Sequence, residues 1–362
     1  MEMNSSVRLS DLSSLTRSLK APVTAIAQDN KSFIAGDSEG MVSAWAVSDG
    51  DLLWTIDLEP STSSIAFADG VIAIAHGASI TAVNPDDGAL VWAIPVDGAC
   101  DFVAFDGQSL WVTSSVYEIE IEDYVACRVM RIEPHRGTVQ QSFSLPSKAW
   151  TLDAFGRGCI LGLGRPQPGI YTIKSGKDEL NHLEDTPRVP ISRSSSSLDN
   201  RMSFTTSDFY AIQIDQDGKI IDTAKNIVLA GFTHDGRWIT YDQNGGVVNT
   251  ESSDEDLNGF PYHLTSTDEM TLSVTRKSDS LGAISIGKKR MKWIHSSEIT
   301  IVHSHSDRTV LGCSNGEIFL LEADVLKRRI AKSEFSDRDD SSIRARLRML
   351  RFQDKSNNLE EK

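Results

Sequence analysis

The chain has 362 residues, 40% hydrophobic and 24% charged, which is the composition of a folded protein and excludes a disordered or collagen-like one. Against 36 Lys and Arg stand 51 Asp and Glu, a formal net charge of −15 whose field repels phosphate backbones and anionic lipid as whole-surface partners. Four widely spaced cysteines, Cys100, Cys127, Cys159 and Cys313, form no Cys-x-x-Cys pair and read as reduced packing thiols of a cytoplasmic protein.

Residues 1–21 show no basic stretch followed by an apolar one, so no secretory signal is visible. Leu12, Leu15 and Leu19 have helical spacing, yet the same stretch fits a strand that closes a ring. From Val23 onward the chain repeats at a period near 40. Val23 to Leu58 and Ser64 to Val96 each run as an apolar segment, a Gly turn, a second apolar segment, and an Asp-Gly turn before a short run carrying Trp54 or Trp92. Ile65 to Val83 is the most apolar window, but Asp69, Gly70, His76 and Gly77 interrupt it, so it reads as strands and makes a poor membrane span.

Weaker echoes follow at Ile132 to Val139, Ile173 to Lys177 and Ile214 to Ile221, then in Phe232 to Thr250, Ile284 to Trp293 and Ile299 to Ile330. Short alternating runs rich in β-branched and aromatic residues, joined by Asp-Gly and Asn-Gly, predict four short strands per unit. Residues 22–333 divided by eight give units of about 39, so an all-β propeller of seven or eight four-stranded blades is expected, stacked because no single small sheet buries both faces.

Phe33 to Trp45 resembles the strand, Gly-rich turn and strand-to-Trp segment of the WD-repeat family, and Thr309 to Phe319 repeats that form. Asp49 to Trp54 and Asp86 to Trp92 are similar to the Asp-x-x-x-Gly-x-x-x-Trp turn of the quinoprotein-like family, with its PQQ-like repeat. Ala46 stands where a WD repeat has Asp, and no unit has a clear Gly-His pair, so both families stay open. The resemblance to quinoprotein dehydrogenases would imply a quinone held with calcium and often an adjacent Cys pair; this chain has no such pair, and no cofactor or metal is expected.

Several local patterns have a plain structural reading. Glu118-Ile119-Glu120-Ile121-Glu122-Asp123 reads as an extended segment with alternate carboxylates on one side, either a solvated strand or protruding hairpin, or a docking site for a basic partner. Gly156 to Gly164 reads as tight turns, because Pro166 and Pro168 follow where a phosphate loop needs a helix. Ser192 to Ser197 reads as a mobile connection, and Glu251 to Asp256 as a solvated acidic loop without the ligand spacing of a calcium site. His303 and His305 fit one face of a strand, with no third metal ligand identifiable.

Residues 334–362 form a charged tail. Ile343, Leu347 and Leu350 fall at helical spacing beside a stripe of Arg344, Arg348, Arg351 and Lys355, predicting a short amphipathic basic helix. That element could pack on the acidic propeller itself or dock to a partner, and it is the one place where nucleic acid or membrane contact is conceivable.

The function expected is a non-catalytic cytoplasmic scaffold that binds protein partners. Its contacts are assigned to the turns between second and third strands: Asp37, Ser38, Glu39, His76, Glu118, Glu120, Glu122, Asp123, Arg165 and Asn315, with Arg344, Arg348 and Arg351 of the tail. The competing expectation is a small-molecule binder or hydrolase using the central channel.

Overall fold

The computed structural model describes residues 7–329 apart from 175, 178, 196–199, 250–255, 258, 277–279 and 288. Among these residues it is a β-propeller with seven sheets of four strands or more and, at one further ring position, a two-stranded sheet. The first strands of successive sheets touch in a closed ring of eight: Val23–Gln28, Thr62–Ala68, Ala99–Phe105, Ala149–Ala154, Pro190–Ser195, Leu229–Phe232, Phe260–Ser266 and Ile299–His305. The sheets are numbered blades 1 to 8 in that order. Among the described residues blade 6 pairs only Leu229–Phe232 with Trp238–Tyr241; the Asn249 side chain then takes the Thr240 amide and the Trp238 carbonyl, standing in for part of a third strand.

Both readings of the N-terminal leucines are realised in turn. Leu9–Leu12 is one helical turn whose Leu9 and Leu12 enter the core between blades 7 and 8, and Leu15–Ser18 pairs with Glu317–Glu322 as the outer strand of blade 8. Val7–Arg8 adds a parallel fifth strand to blade 7. The ring is therefore closed by chain from its opposite end, which ties two neighbouring blades at once.

Blade-to-blade cohesion explains why the Asp-Gly turn and the Trp recur together. The Trp54 indole donates to the Pro85 carbonyl in the next blade at 2.7 Å, and Trp92 does the same to Pro134 at 2.7 Å. Gly88 lies under the Trp54 ring at φ +70°, where a Cβ would sit 2.9 Å from the indole, so only glycine fits both the backbone and the approach. At ring closure Arg17 takes this place, its Nε donating to the Gly50 carbonyl at 2.7 Å. A second device sits in the first strands, where each of the seven full blades skips one residue against its neighbour: Thr24, Ser63, Asp101, Trp150, Ile191, Tyr262 and Thr300. The Thr24 hydroxyl faces the carbonyls of Gly36 in its own blade and Thr62 in the next, at 3.3 and 2.6 Å; Ser63 and Thr300 repeat the arrangement.

Three local expectations are corrected. Ser192 lies inside the innermost strand of blade 5, because that polar run edges the channel and needs no apolar alternation; residues 196–199 lie outside the described ones. Gly158–Leu163 is the buried second strand of blade 4, and its Gly162 is where Thr151 and Pro190 pack too closely for a Cβ. Glu118 to Asp123 form the tip of a protruding hairpin, one of the forms expected, but Ile119 to Glu122 are its four-residue turn and are not extended, with Glu122 at φ +54°, so the carboxylates fan around a loop instead of lining one side of a strand.

Candidate functional site

In a sheet whose strands run inside to out, the turns between second and third strands share one face with the connections from each fourth strand to the next blade. The predicted contact residues of the described chain all belong to this face, but their exposure divides them. Ser38, Glu39, Glu118, Glu120, Glu122, Asp123, Arg165 and Asn315 reach solvent. Asp37 is fully buried; its Oδ1 accepts the Glu39 and Met41 amides and so holds the turn together. His76 is buried too, its Nε2 2.8 Å from the Thr81 hydroxyl, and burial lowers its pKa. Both are turn-builders and not contact residues, because a polar side chain this deep must satisfy its neighbours first. Arg344, Arg348 and Arg351 lie outside the described residues.

The dominant feature of this face is a ribbon on blade 3. Leu110–Glu118 and Asp123–Ile132 are the longest strands of the propeller, and their flanking strands stop at the pairs Ala99↔Ser115 and Cys127↔Leu145. Beyond that line Val116↔Ala126, Tyr117↔Tyr124 and Glu118↔Asp123 continue as two strands alone. The tip leaves Ile119 81% and Ile121 60% exposed among four carboxylates.

The base of the ribbon is braced from blade 4. Tyr124 packs edge-on to Tyr117 and to Trp150, with ring centroids 5.1 and 6.4 Å apart, and the Lys148 ammonium lies 4.4 Å from the Tyr124 ring centre and 5.4 Å from that of Trp150. Lys148 also pairs with Asp101 at 2.9 Å, and Ser115 donates to the other Asp101 oxygen at 2.7 Å. Burial pulls the Lys148 pKa down, but the hydrogen bond and charge of Asp101, with Tyr124, outweigh it and leave it raised. This ammonium is a fixed part of the wall, so it does not neutralise the ribbon tip.

Trp150 occupies the skipped position at which blades 1, 2 and 8 carry Thr or Ser, and Ile191 occupies the same position in blade 5. Both are exposed on this face. Of the fifteen large apolar side chains exposed among the described residues, eight lie on this one face; the other seven are scattered, six of them along outer strands. Sequence reasoning found the acidic tip but missed Tyr117, Tyr124, Lys148, Trp150 and Ile191. The signal was alignment of the first strands, which sets Trp150 opposite Thr24 and Ser63.

Within the channel, Arg193 pairs with Asp153 at 2.9 Å and donates from Nε to the Leu152 carbonyl. His303 is held down to about 4 by burial, helped by the charges of His305 and Arg193, and it does not join His305 in a ligand set. Among the described residues no three His, Cys, Asp or Glu side chains converge on a metal position, and no helix is long and apolar enough to cross a membrane.

Residues 14–154, from the ring-closing strand through the first strand of blade 4, match the family model of PQQ-like repeats described as outer membrane protein assembly factor BamB. No curated protein sequence matches significantly. Among solved structures, the computationally designed Ika8 protein superposes with a TM-score of 0.66 at 13% identity, over 84% of this chain and 98% of that one. Sqt1 of Saccharomyces cerevisiae gives 0.66 at 10% identity, over 88% and 99%, and the WD40 repeats of RRP9 give 0.60 at 11%, over 84% and 96%. These likenesses establish the propeller fold, in keeping with the WD-repeat and PQQ-like resemblance of the sequence.

Proposed function

We propose that this chain is a non-catalytic, cytoplasmic propeller that docks a protein partner on the face carrying the blade 3 ribbon. The single observation that supports this most is the clustering of Tyr117, Ile119, Ile121, Val125 and Trp150 on and beside a ribbon that stands clear of the body, rimmed by Glu118, Glu120, Glu122 and Asp123. A soluble surface does not gather exposed aromatic and aliphatic side chains without use, and an apolar centre inside a charged rim is the anatomy of a protein interface. Ser38, Glu39, Arg165 and Asn315 extend the face around the ring. The four buried thiols are consistent with a reducing compartment, and the net charge of −15 disfavours nucleic acid.

The test is photo-crosslinking in cells from a reactive side chain placed at Ile119 or Trp150, with Leu53 on the outer rim as control. A discrete adduct from the first two positions and none from the third is expected. Identical products from all three, or no adduct from the face, would overturn the reading.

A further inference from the structure

We propose that the acidic-apolar ribbon of one copy receives residues 343–352 of a second copy of this chain, so that the protein associates through its own C-terminal segment. This rests on the reading of the ribbon face as a docking surface and names its occupant.

The ribbon tip offers Glu118, Glu120, Glu122 and Asp123 around exposed Ile119 and Ile121. The neighbouring ammonium, Lys148, is held by Asp101 in the wall below. A complementary ligand therefore carries cations interleaved with apolar side chains and few or no acids. Ile343-Arg344-Ala345-Arg346-Leu347-Arg348-Met349-Leu350-Arg351-Phe352 has that character: four arginines, no carboxylate, and aliphatic or aromatic residues between them. Copies of a chain of net charge −15 repel one another on average, so a meeting of such opposite patches selects orientation as well as affinity.

Chain geometry favours a second copy over the same one. The described chain ends at residue 329, beyond the third strand of blade 8 and on the face away from the ribbon, where Arg329 is anchored to the Asp11 and Ser13 carbonyls. The thirteen residues 330–342 span at most about 45 Å when extended, and an internal route must pass over the propeller rim from blade 8 to the far face of blade 3. A neighbouring copy meets the segment without that detour.

Sedimentation velocity of the full chain from 1 to 100 µM in low salt tests the idea. Wild type is expected to sediment faster as concentration rises and to revert to monomer in high salt. The ribbon set E118K/E120K/E122K and the tail set R344E/R348E/R351E should each weaken association at least about thirtyfold, since three attractive pairs become repulsive. Mixing the two variants should restore a one-to-one pair, because the native tail of one meets the native ribbon of the other; that recovery also shows that both are folded. The chain carrying both sets should regain self-association. A wild type monomeric throughout, a single set that still associates, or a mixture that stays monomeric overturns the inference. A monomeric wild type leaves the docking surface itself to be decided by the crosslinking result.

Discussion

If blades are held in register by an indole docked on the next blade's turn, removing one indole should weaken the whole ring. Trp54 is 6% exposed and bonds to Pro85, while Gly88 lies against its ring. Truncating a buried Trp to Ala loses about 3–5 kcal/mol of packing, and the stranded carbonyl adds about 1 kcal/mol. For the roughly 300 described residues the unfolding entropy translates each kcal/mol into about 1.5 °C, so Trp54→Ala should lower Tm by about 6–9 °C. Trp54→Phe keeps most of the ring over Gly88 and loses the N–H donor, so about 2–3 °C is expected. Exposed Trp150 serves as control, and Trp150→Ala should fall within about 2 °C of wild type. Differential scanning calorimetry reads all three. A shift under about 2 °C for Trp54→Ala, or one no larger than that of Trp150→Ala, would refute the coupling between blades.

Lys148→Met strands the Asp101 carboxylate, which is 11% exposed, and should cost about 3–5 kcal/mol; pairing it with Asp101→Asn should recover more than half of the lost Tm. Burial holds His263 and His303 at about 4, below the ordinary 6.5, so the unfolded chain takes up protons before the folded one does. Their contribution to stability is full above about pH 6.5 and drains away as pH falls toward 4. Urea unfolding between pH 7.5 and 4.5 should show that loss, and His303→Phe should flatten it; an unchanged slope in the variant argues against the assignment. All four cysteines are buried, and burial pushes the Cys100 thiol up to about 12, with Cys159 and Cys313 raised as well. An aromatic disulfide reagent should label none of them in the native protein within minutes and all four in denaturant, and rapid native labelling would contradict their burial.

Much of the fold was legible because it is a repeat. Alternation in Met41 to Ala46, the Asp-Gly turns and the returning Trp are local signals, so strand type and unit length followed from spacing. The two units read as Val23 to Leu58 and Ser64 to Val96 coincide with blades 1 and 2, where the turn motif is intact. The choice between seven and eight blades was not legible. Blade 6 shows two strands among the described residues, with Asn249 replacing ladder bonds, so dividing by a mean period cannot distinguish a missing blade from a thin one.

The candidate site divided along the same line. Runs of charge announced the ribbon tip at Glu118 to Asp123, because strong local composition needs no fold to be seen. Asp37 and His76 looked like surface residues, since sequence shows a turn without showing how deep it sits; packing placed both below the surface, where they bond within their own blade. Lys148 and Asp101 are 47 residues apart, and Tyr117, Tyr124 and Trp150 come from two blades. What the amino-acid order determined alone was the repeating sheet and its acidic character, because strand alternation, turn chemistry and charge are properties of neighbours in the chain. Which polar residues face solvent, which end of the chain closes the ring and which aromatics gather at the ribbon were decided by tertiary structure, because each depends on blades meeting around an axis that no local stretch encodes.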